Sequence, residues 1–210
     1  MSILRSNVAR ITTLLLLLSG ASLAIPGTAQ ARAYVRPDPL NDVVKSGNRV
    51  TPAPNQPQTD LISTAFRHKT TRVRIRLTLD DLQIKRGDQY GFIATRLVTN
   101  TGLERDVDIF LERGSTDIRM YNEEGDFARC ALHHSIDYRN DVVVIGFSRR
   151  CVGYPRWVRI AAEVRNSAPA DPNMGPDLYV DHALRGALEN DDFPPPFSPR
   201  IYRGTEGPRS

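Results

Sequence analysis

The side chains best suited to chemistry stand close together at His133, His134, Ser135 and Asp137. Two imidazoles and a carboxylate are ligands that a metal accepts, and serine, histidine and an acid are the parts of a hydrolase triad. Adjacent residues of a strand point to opposite faces, so both histidines would reach one ion only from a loop. The triad members are too close in sequence to face each other, and the chain has no Gly-x-Ser-x-Gly elbow. We therefore predict no catalytic residue, no bound metal and no cofactor here, and keep a hydrolase using acid or histidine groups near residues 133–141 as an alternative.

A second oxygen-rich segment has part of the spacing of a calcium loop. Asp171, Asn173 and Asp177 carry the oxygens, but Pro176 stands where an EF-hand needs glycine and His182 where it needs a bidentate glutamate. The EF-hand motif therefore fails. The three oxygen-bearing residues are weak candidates for a looser calcium site, and a capped turn is the plainer interpretation.

Arginines alternate with apolar residues along residues 71–79. Arg72, Arg74 and Arg76 are predicted on the wet face of a strand whose other face is buried. With Arg156 and Arg159 on a neighbouring strand, they would form a cationic surface for an anionic ligand. The simpler alternative, which the pattern alone favours, is a solvated face whose arginines pair with three acids. Those acids are Asp106, Asp108 and Glu112.

The only two cysteines, Cys130 and Cys151, are predicted to form one disulfide, because no Cys-x-x-Cys spacing indicates a redox-active pair. The bridge would join the region before the apolar run 141–147 to the turn after it. In the chain-entropy model, closing this loop contributes about 3 kcal/mol.

Short segments of period two, separated by turn residues, predict an all-β chain. They are expected to form a single antiparallel β-sandwich over residues 60–166, with Trp157 in its core. The predicted strands cover residues 71–79, 90–99, 106–112, 116–121, 141–147 and 156–164.

The two ends of the chain differ from this middle part. Residues 1–31 have the basic, apolar and small-residue order of a signal peptide, and no later apolar run is long enough to span a membrane. Residues 32–59 contain several prolines and no sustained period, which predicts a disordered linker. Residues 167–210 are expected to be a loosely ordered extension, with a short helix over residues 178–189.

Charge and composition exclude some partners. The 210-residue chain has a formal net charge of +4, which falls to +2 if Arg5 and Arg10 leave with the signal peptide. So small an excess does not favour nucleic acid as a partner. We expect a secreted, extracellular protein without a membrane span after cleavage.

One stretch resembles a known group of proteins. The residues Asp137-Tyr138-Arg139-x-Asp141 are followed by Arg150-Cys151-Val152-Gly153-x-Pro155-Arg156-Trp157-Val158-Arg159. This pattern resembles an uncharacterised family of small secreted β-sandwich proteins from actinobacteria, over roughly residues 60–165. The resemblance implies a fold and export, but no reaction.

Together these observations favour an exported, non-catalytic module that binds a cell-envelope polymer or a protein. Besides the hydrolase, a structural surface protein is the other alternative.

Overall fold

Alternation of apolar and polar residues produces strands through nearly all of the described chain. The computed structural model describes residues 33–46, 50–85, 89–167, 178–184 and 195–204, and these contain thirteen strands and one short 3₁₀ helix, Arg149–Val152. The predicted signal peptide lies outside the described residues. The strands are β1 (Ala33–Pro37), β2 (Val44–Ser46), β3 (Thr51–Pro52), β4 (Leu61–His68), β5 (Arg72–Leu79), β6 (Tyr90–Thr99), β7 (Glu104–Glu112), β8 (Ser115–Tyr121), β9 (Leu132–Asp137), β10 (Val142–Ser148), β11 (Trp157–Ser167), β12 (Leu178–His182) and β13 (Ile201–Tyr202).

These strands form two antiparallel sheets that pack face to face. The first sheet has the order β1-β4-β5-β10-β9. The second has the order β3-β2-β12-β11-β6-β7-β8, and β13 adds to β11. The prediction of an all-β antiparallel sandwich is confirmed.

The core lies between the sheets and follows the predicted alternation. In β5, Val73, Ile75 and Leu77 are fully buried, whereas the arginines between them are exposed. The second sheet contributes inward residues such as Ile109 and Ile160. Burying each such side chain stabilises the fold by about 1.5–3 kcal/mol, so the core fixes which face of β5 meets the solvent.

The segment expected to be a disordered linker, residues 32–59, differs from that expectation where it is described. Strand β1 pairs with β4 along its whole length, and β2 pairs with both β12 and β3. Most of β1 is exposed, so its side chains give little hydrophobic signal. Backbone hydrogen bonds to the edge of β4 hold it, together with the Tyr34 ring stacked on Phe66, and the backbone bonds leave no pattern in the sequence.

The C-terminal extension also joins the sandwich. Residues 178–182, expected to begin a helix, form strand β12 against β11. Further along, the backbone of Ser198 donates to the Ile160 carbonyl at 2.8 Å, and its hydroxyl accepts from the Ile160 amide at 3.0 Å. An open edge of β11 therefore outweighs the local helical tendency.

Trp157 differs from the expectation of a core position. Val158 and Ile160 are the inward residues at this end of β11, so the alternation turns Trp157 outward. Its ring is half-buried beneath the Arg200 guanidinium, whose carbon lies 4.8 Å from the ring centroid.

The predicted disulfide between Cys130 and Cys151 is confirmed, with the two Cα atoms 5.8 Å apart. It joins the segment before β9 to the 3₁₀ helix after β10. The Gly153 backbone adopts φ +70° and donates to the Arg149 and Arg150 carbonyls, which ends this helix. The bridge thus fastens the edge strand β9 beside β10.

Candidate anion-binding groove

The outer face of the first sheet carries unpaired positive charge. Arg72, Arg74 and Arg76 point outward from β5, and Arg67 lies opposite Arg74 on β4. Within the described residues, none of these four arginines forms an ion pair with an acid. Their charges therefore face the solvent uncompensated.

A groove crosses this face from β5 to β9. The register aligns Arg74 with Gly146 of β10, and Gly146 with His133 of β9. Because strands are about 4.8 Å apart, the backbones of Arg74 and His133 lie about 10 Å apart with no side chain between them. The groove has a volume of about 410 Å³, in the range of small-ligand sites. It is lined by Thr71, Arg72, Arg74, His133, His134, Ser135, Val144, Gly146, Phe147 and Ser148.

The chemistry of this lining suits an anion. Of the described residues, no aspartate or glutamate lines the groove, while two guanidinium groups stand on one wall. Ser135 and Ser148 add hydroxyl groups that donate hydrogen bonds. Val144 and Gly146 leave the floor apolar and open, so a linear ligand can lie across the strands.

The histidine, serine and aspartate first considered for catalysis are not brought together. Residues 132–137 form strand β9, and its alternation puts His133 and Asp137 on one face and His134 on the other. Asp137 lies four residues, about 13 Å, along the strand from His133. Its carboxylate accepts hydrogen bonds from the Asn140 side chain at 2.6 Å and from the Arg139 backbone at 3.1 Å. The hydrogen bond from the Asn140 side chain is the main cause of the lowered pKa of Asp137. The hydrogen bonds of this carboxylate are therefore used to stabilise the turn after β9.

The five-arginine surface predicted from the sequence is divided between the two sheets. Arg156 and Arg159 precede or lie in β11, which belongs to the second sheet and is not a neighbour of β5. Arg159 donates to the Ser198 carbonyl at 3.0 Å and stacks over Phe197 at 5.4 Å. The prediction of one surface is therefore corrected to the β5 arginines alone, because strand order cannot be deduced from alternation.

The acids proposed to neutralise the β5 arginines also lie elsewhere. Asp106, Asp108 and Glu112 belong to β7 of the second sheet. Asp106 accepts from Arg96 Nε at 3.0 Å, across the β6–β7 pair. The simpler alternative of cross-strand neutralisation is thus not seen for Arg72, Arg74 and Arg76.

Two further predictions concern the calcium candidates and a membrane span. The calcium candidates Asp171, Asn173 and Asp177 lie outside the described residues. No helix within the described ranges is long and apolar enough to cross a membrane.

Sequence reasoning missed the role of Gly146. Its backbone has no positive φ, so conformational freedom does not explain the glycine. A Cβ at this position would meet only the Val73 and His133 carbonyl oxygens, at 3.8 and 4.0 Å, which is ordinary contact. A glycine inside a strand often marks a bulge, a bend, or a close approach by a ligand or another backbone, and this glycine was visible in the apolar run 141–147.

Comparison with known proteins adds no assignment. No protein-family model, no curated protein and no solved structure matches the chain. The resemblance to secreted actinobacterial proteins therefore stays a prediction.

Proposed function

We propose that this chain is an exported, non-catalytic module that binds an anionic cell-envelope polymer in the groove between β5 and β9. The observation that carries the proposal is the pair Arg72 and Arg74 beside the side-chain gap at Gly146, without an acid in the described lining. A linear polymer with repeated carboxylate or phosphate groups matches a gap that spans β5, β10 and β9 and the charge beside it.

Export is part of the proposal. It is supported by the residue order of 1–31 and by the Cys130–Cys151 bridge, since disulfides persist in oxidising compartments outside the cytosol. A polymer of the envelope is a ligand that an exported protein meets.

The groove supports binding better than hydrolysis. His133, the only imidazole that points outward from β9 in the described residues, has no carboxylate within hydrogen-bond distance. A general acid or base needs a partner or substrate group at about 2.6–3.2 Å and a second group to complete the reaction. The described groove offers cations and hydroxyl groups, which hold an anion without transforming it.

The test uses the chain without the predicted signal peptide, residues 1–31, which we call the mature chain. It is mixed with three polymers of similar length: polygalacturonate, polyphosphate and uncharged dextran. We expect binding to the polyanions at low salt, weakening at high salt because salt screens exposed charges, and no binding to dextran. Co-sedimentation with envelope material should follow the same salt dependence. Preference between the carboxylate and phosphate polymers then identifies the anionic group.

Two variants locate the site. The double variant Arg72→Gln/Arg74→Gln should lower the affinity about tenfold or more, because two charged hydrogen-bond donors are lost. Gly146→Val should abolish binding by filling the gap, while stability is kept or raised, since valine suits a strand better than glycine.

The matched control is Arg113→Gln/Arg156→Gln, which removes the same charge from exposed positions outside the groove. Equal loss in this control would mean that only net charge matters. Full binding by Gly146→Val would reject the groove, and turnover of any polymer would favour the hydrolase instead.

A further inference from the structure

Four aspartates from distant parts of the sequence meet at one end of the sandwich. Asp38 and Asp42 lie in the connection between β1 and β2, Asp60 directly precedes β4, and Asp181 lies in β12. One carboxylate oxygen from each of Asp42, Asp60 and Asp181 lies within 4.8 Å of the others. Sequence separations of more than a hundred residues explain why no motif announced this cluster.

Backbone amides hold one oxygen of most of these carboxylates. The Asn41 amide donates to Asp60 Oδ2 at 2.8 Å, the Leu61 amide to Asp181 Oδ2 at 2.6 Å, and the Leu184 amide to Asp38 Oδ1 at 3.2 Å. Such bonds orient a carboxylate and leave its second oxygen for another partner.

The second oxygens of Asp60 and Asp38, and one oxygen of Asp42, are buried without a donor. Asp60 is only 2% exposed and Asp38 only 7% exposed. In the described part of the chain, Asp60 Oδ1, Asp38 Oδ2 and Asp42 Oδ1 have no hydrogen-bond partner. Buried polar atoms are nearly always satisfied, so three unsatisfied carboxylate oxygens in one place point to a missing ligand.

The charged groups around the cluster are mostly aspartates, whose negative charges repel the carboxylates of the cluster. Asp42 faces Asp60, Asp60 faces Asp80, and Asp181 faces Asp38, Asp42 and Asp60. Among the described cations, Arg36 acts on Asp38. Like charges at this distance repel one another, and a cation bound between them would remove that repulsion.

We infer that Asp42, Asp60 and Asp181, with Asp38 beside them, form a binding site for Ca²⁺. Ca²⁺ takes oxygen ligands at about 2.3–2.6 Å, so any two oxygens around one ion lie at most about 5.2 Å apart, and the three oxygens here, all within 4.8 Å of one another, meet that limit. The cluster contains no histidine or cysteine, which disfavours Zn²⁺. Mg²⁺ demands a near-ideal octahedron and keeps its waters, whereas Ca²⁺ accepts an irregular carboxylate cage.

A bound ion would join three separate segments. Asp42 belongs to the N-terminal segment, Asp60 to the entry of β4 in the first sheet, and Asp181 to β12 in the second sheet. Ca²⁺ would therefore stabilise the attachment of both chain ends to the sandwich. The site is separate from the proposed polymer groove, whose lining includes none of these aspartates.

The test is a CaCl2 titration of the chelator-treated mature chain by calorimetry, with thermal unfolding followed by circular dichroism. At about a hundred times the dissociation constant, Ca²⁺ should raise the Tm by about 5–10 °C. MgCl2 should give a smaller shift. The variants Asp60→Asn and Asp181→Asn should remain folded, because asparagine keeps an oxygen for the backbone amide, and should lose the Ca²⁺-dependent shift.

The matched control is Asp126→Asn, which removes a carboxylate from an exposed turn and should retain the whole shift. No heat and no change in Tm with CaCl2 would overturn the inference. A Tm shift that survives in both Asp60→Asn and Asp181→Asn would also overturn it, since the ion would then bind elsewhere.

Discussion

Arg149 uses its buried guanidinium to close one end of the sandwich. Its Nε donates to His68 Nε2 at 3.1 Å, and its two terminal nitrogens donate to the Thr70 and Pro155 carbonyls at 2.8 and 2.7 Å. Because arginine is only a donor, His68 Nε2 must be the acceptor. The proton of His68 then sits on Nδ1, which donates to the Ile201 carbonyl at 3.1 Å.

This arrangement makes stability depend on pH through His68. Burial first, and then the charges of Arg149 and Arg203, lower the pKa of His68 below its usual 6.5, although the Ile201 carbonyl opposes this. The unfolded chain therefore takes up a proton before the folded chain does. The contribution of His68 is complete above about pH 6.5 and is lost as the pH falls through the folded pKa.

We expect the free energy of unfolding to fall between pH 6.5 and 5 more steeply in the wild type than in His68→Asn. Asparagine does not titrate, and the aspartates contribute to both proteins alike. Urea denaturation across this pH range measures the difference. Parallel pH profiles for the two proteins would show that His68 is charged in the folded state or does not matter.

Individual residues were only partly predictable. The outward arginines of β5 follow from the period of two, which links side-chain direction to burial. The aspartate cluster does not, because Asp42, Asp60 and Asp181 meet only through the pairing of strands that are far apart in sequence.

At the scale of single elements, β9 has the weakest attachment. It is an edge strand that pairs with β10 alone among the described strands, and most of its side chains are exposed. The Cys130–Cys151 bridge closes a loop of 21 residues around β9 and β10. A cross-link that closes a loop of this size lowers the entropy of the unfolded chain, which stabilises the folded state by about 3 kcal/mol.

Replacing both cysteines, as Cys130→Ser/Cys151→Ser, should therefore lower the free energy of unfolding by about 3 kcal/mol. Guanidinium denaturation of the wild type under oxidising and reducing conditions provides the matched comparison. A loss below about 1 kcal/mol would mean that β9 is held by its strand pairing alone. Native peptide mapping that finds free thiols at both positions would contradict the bridge itself.

Strands were predictable where buried and exposed side chains alternate, and not where pairing with a sheet edge determines the structure. The core strands β5 and β7 were found from their buried residues. Strand β1 was missed because it is mostly exposed, and β12 was taken for a helix because its short sequence fits both periods. Both segments are strands because they pair with the open edges of β4 and β11.

On the scale of the whole molecule, the sandwich extends beyond the predicted domain of residues 60–166. Strands β1, β2 and β3 precede these bounds, and β12 and β13 follow them. The Leu61 amide loses Asp181 and the His68 ring loses Ile201 when the ends are removed. The predicted domain was thus the core of the fold without its edges.

We expect residues 60–166 alone to be largely unfolded or to aggregate, because β4 and β11 would expose unpaired edges. Residues 33–204 should fold cooperatively. Circular dichroism and the spread of amide signals in NMR spectra distinguish the two states. A fragment of residues 60–166 that melts within a few degrees of residues 33–204 would show that the ends are dispensable.

An anionic polymer bound across β5, β10 and β9 would change the surroundings of the backbone amides in these three strands. The most direct measurement is the change in backbone amide shifts of the labelled mature chain when polygalacturonate is added at low salt. We expect the changes to cluster at Arg74, Ser135 and Gly146, and to vanish in Gly146→Val. Shifts that spread over the outer face of the second sheet, or that persist in Gly146→Val, would contradict binding in the groove.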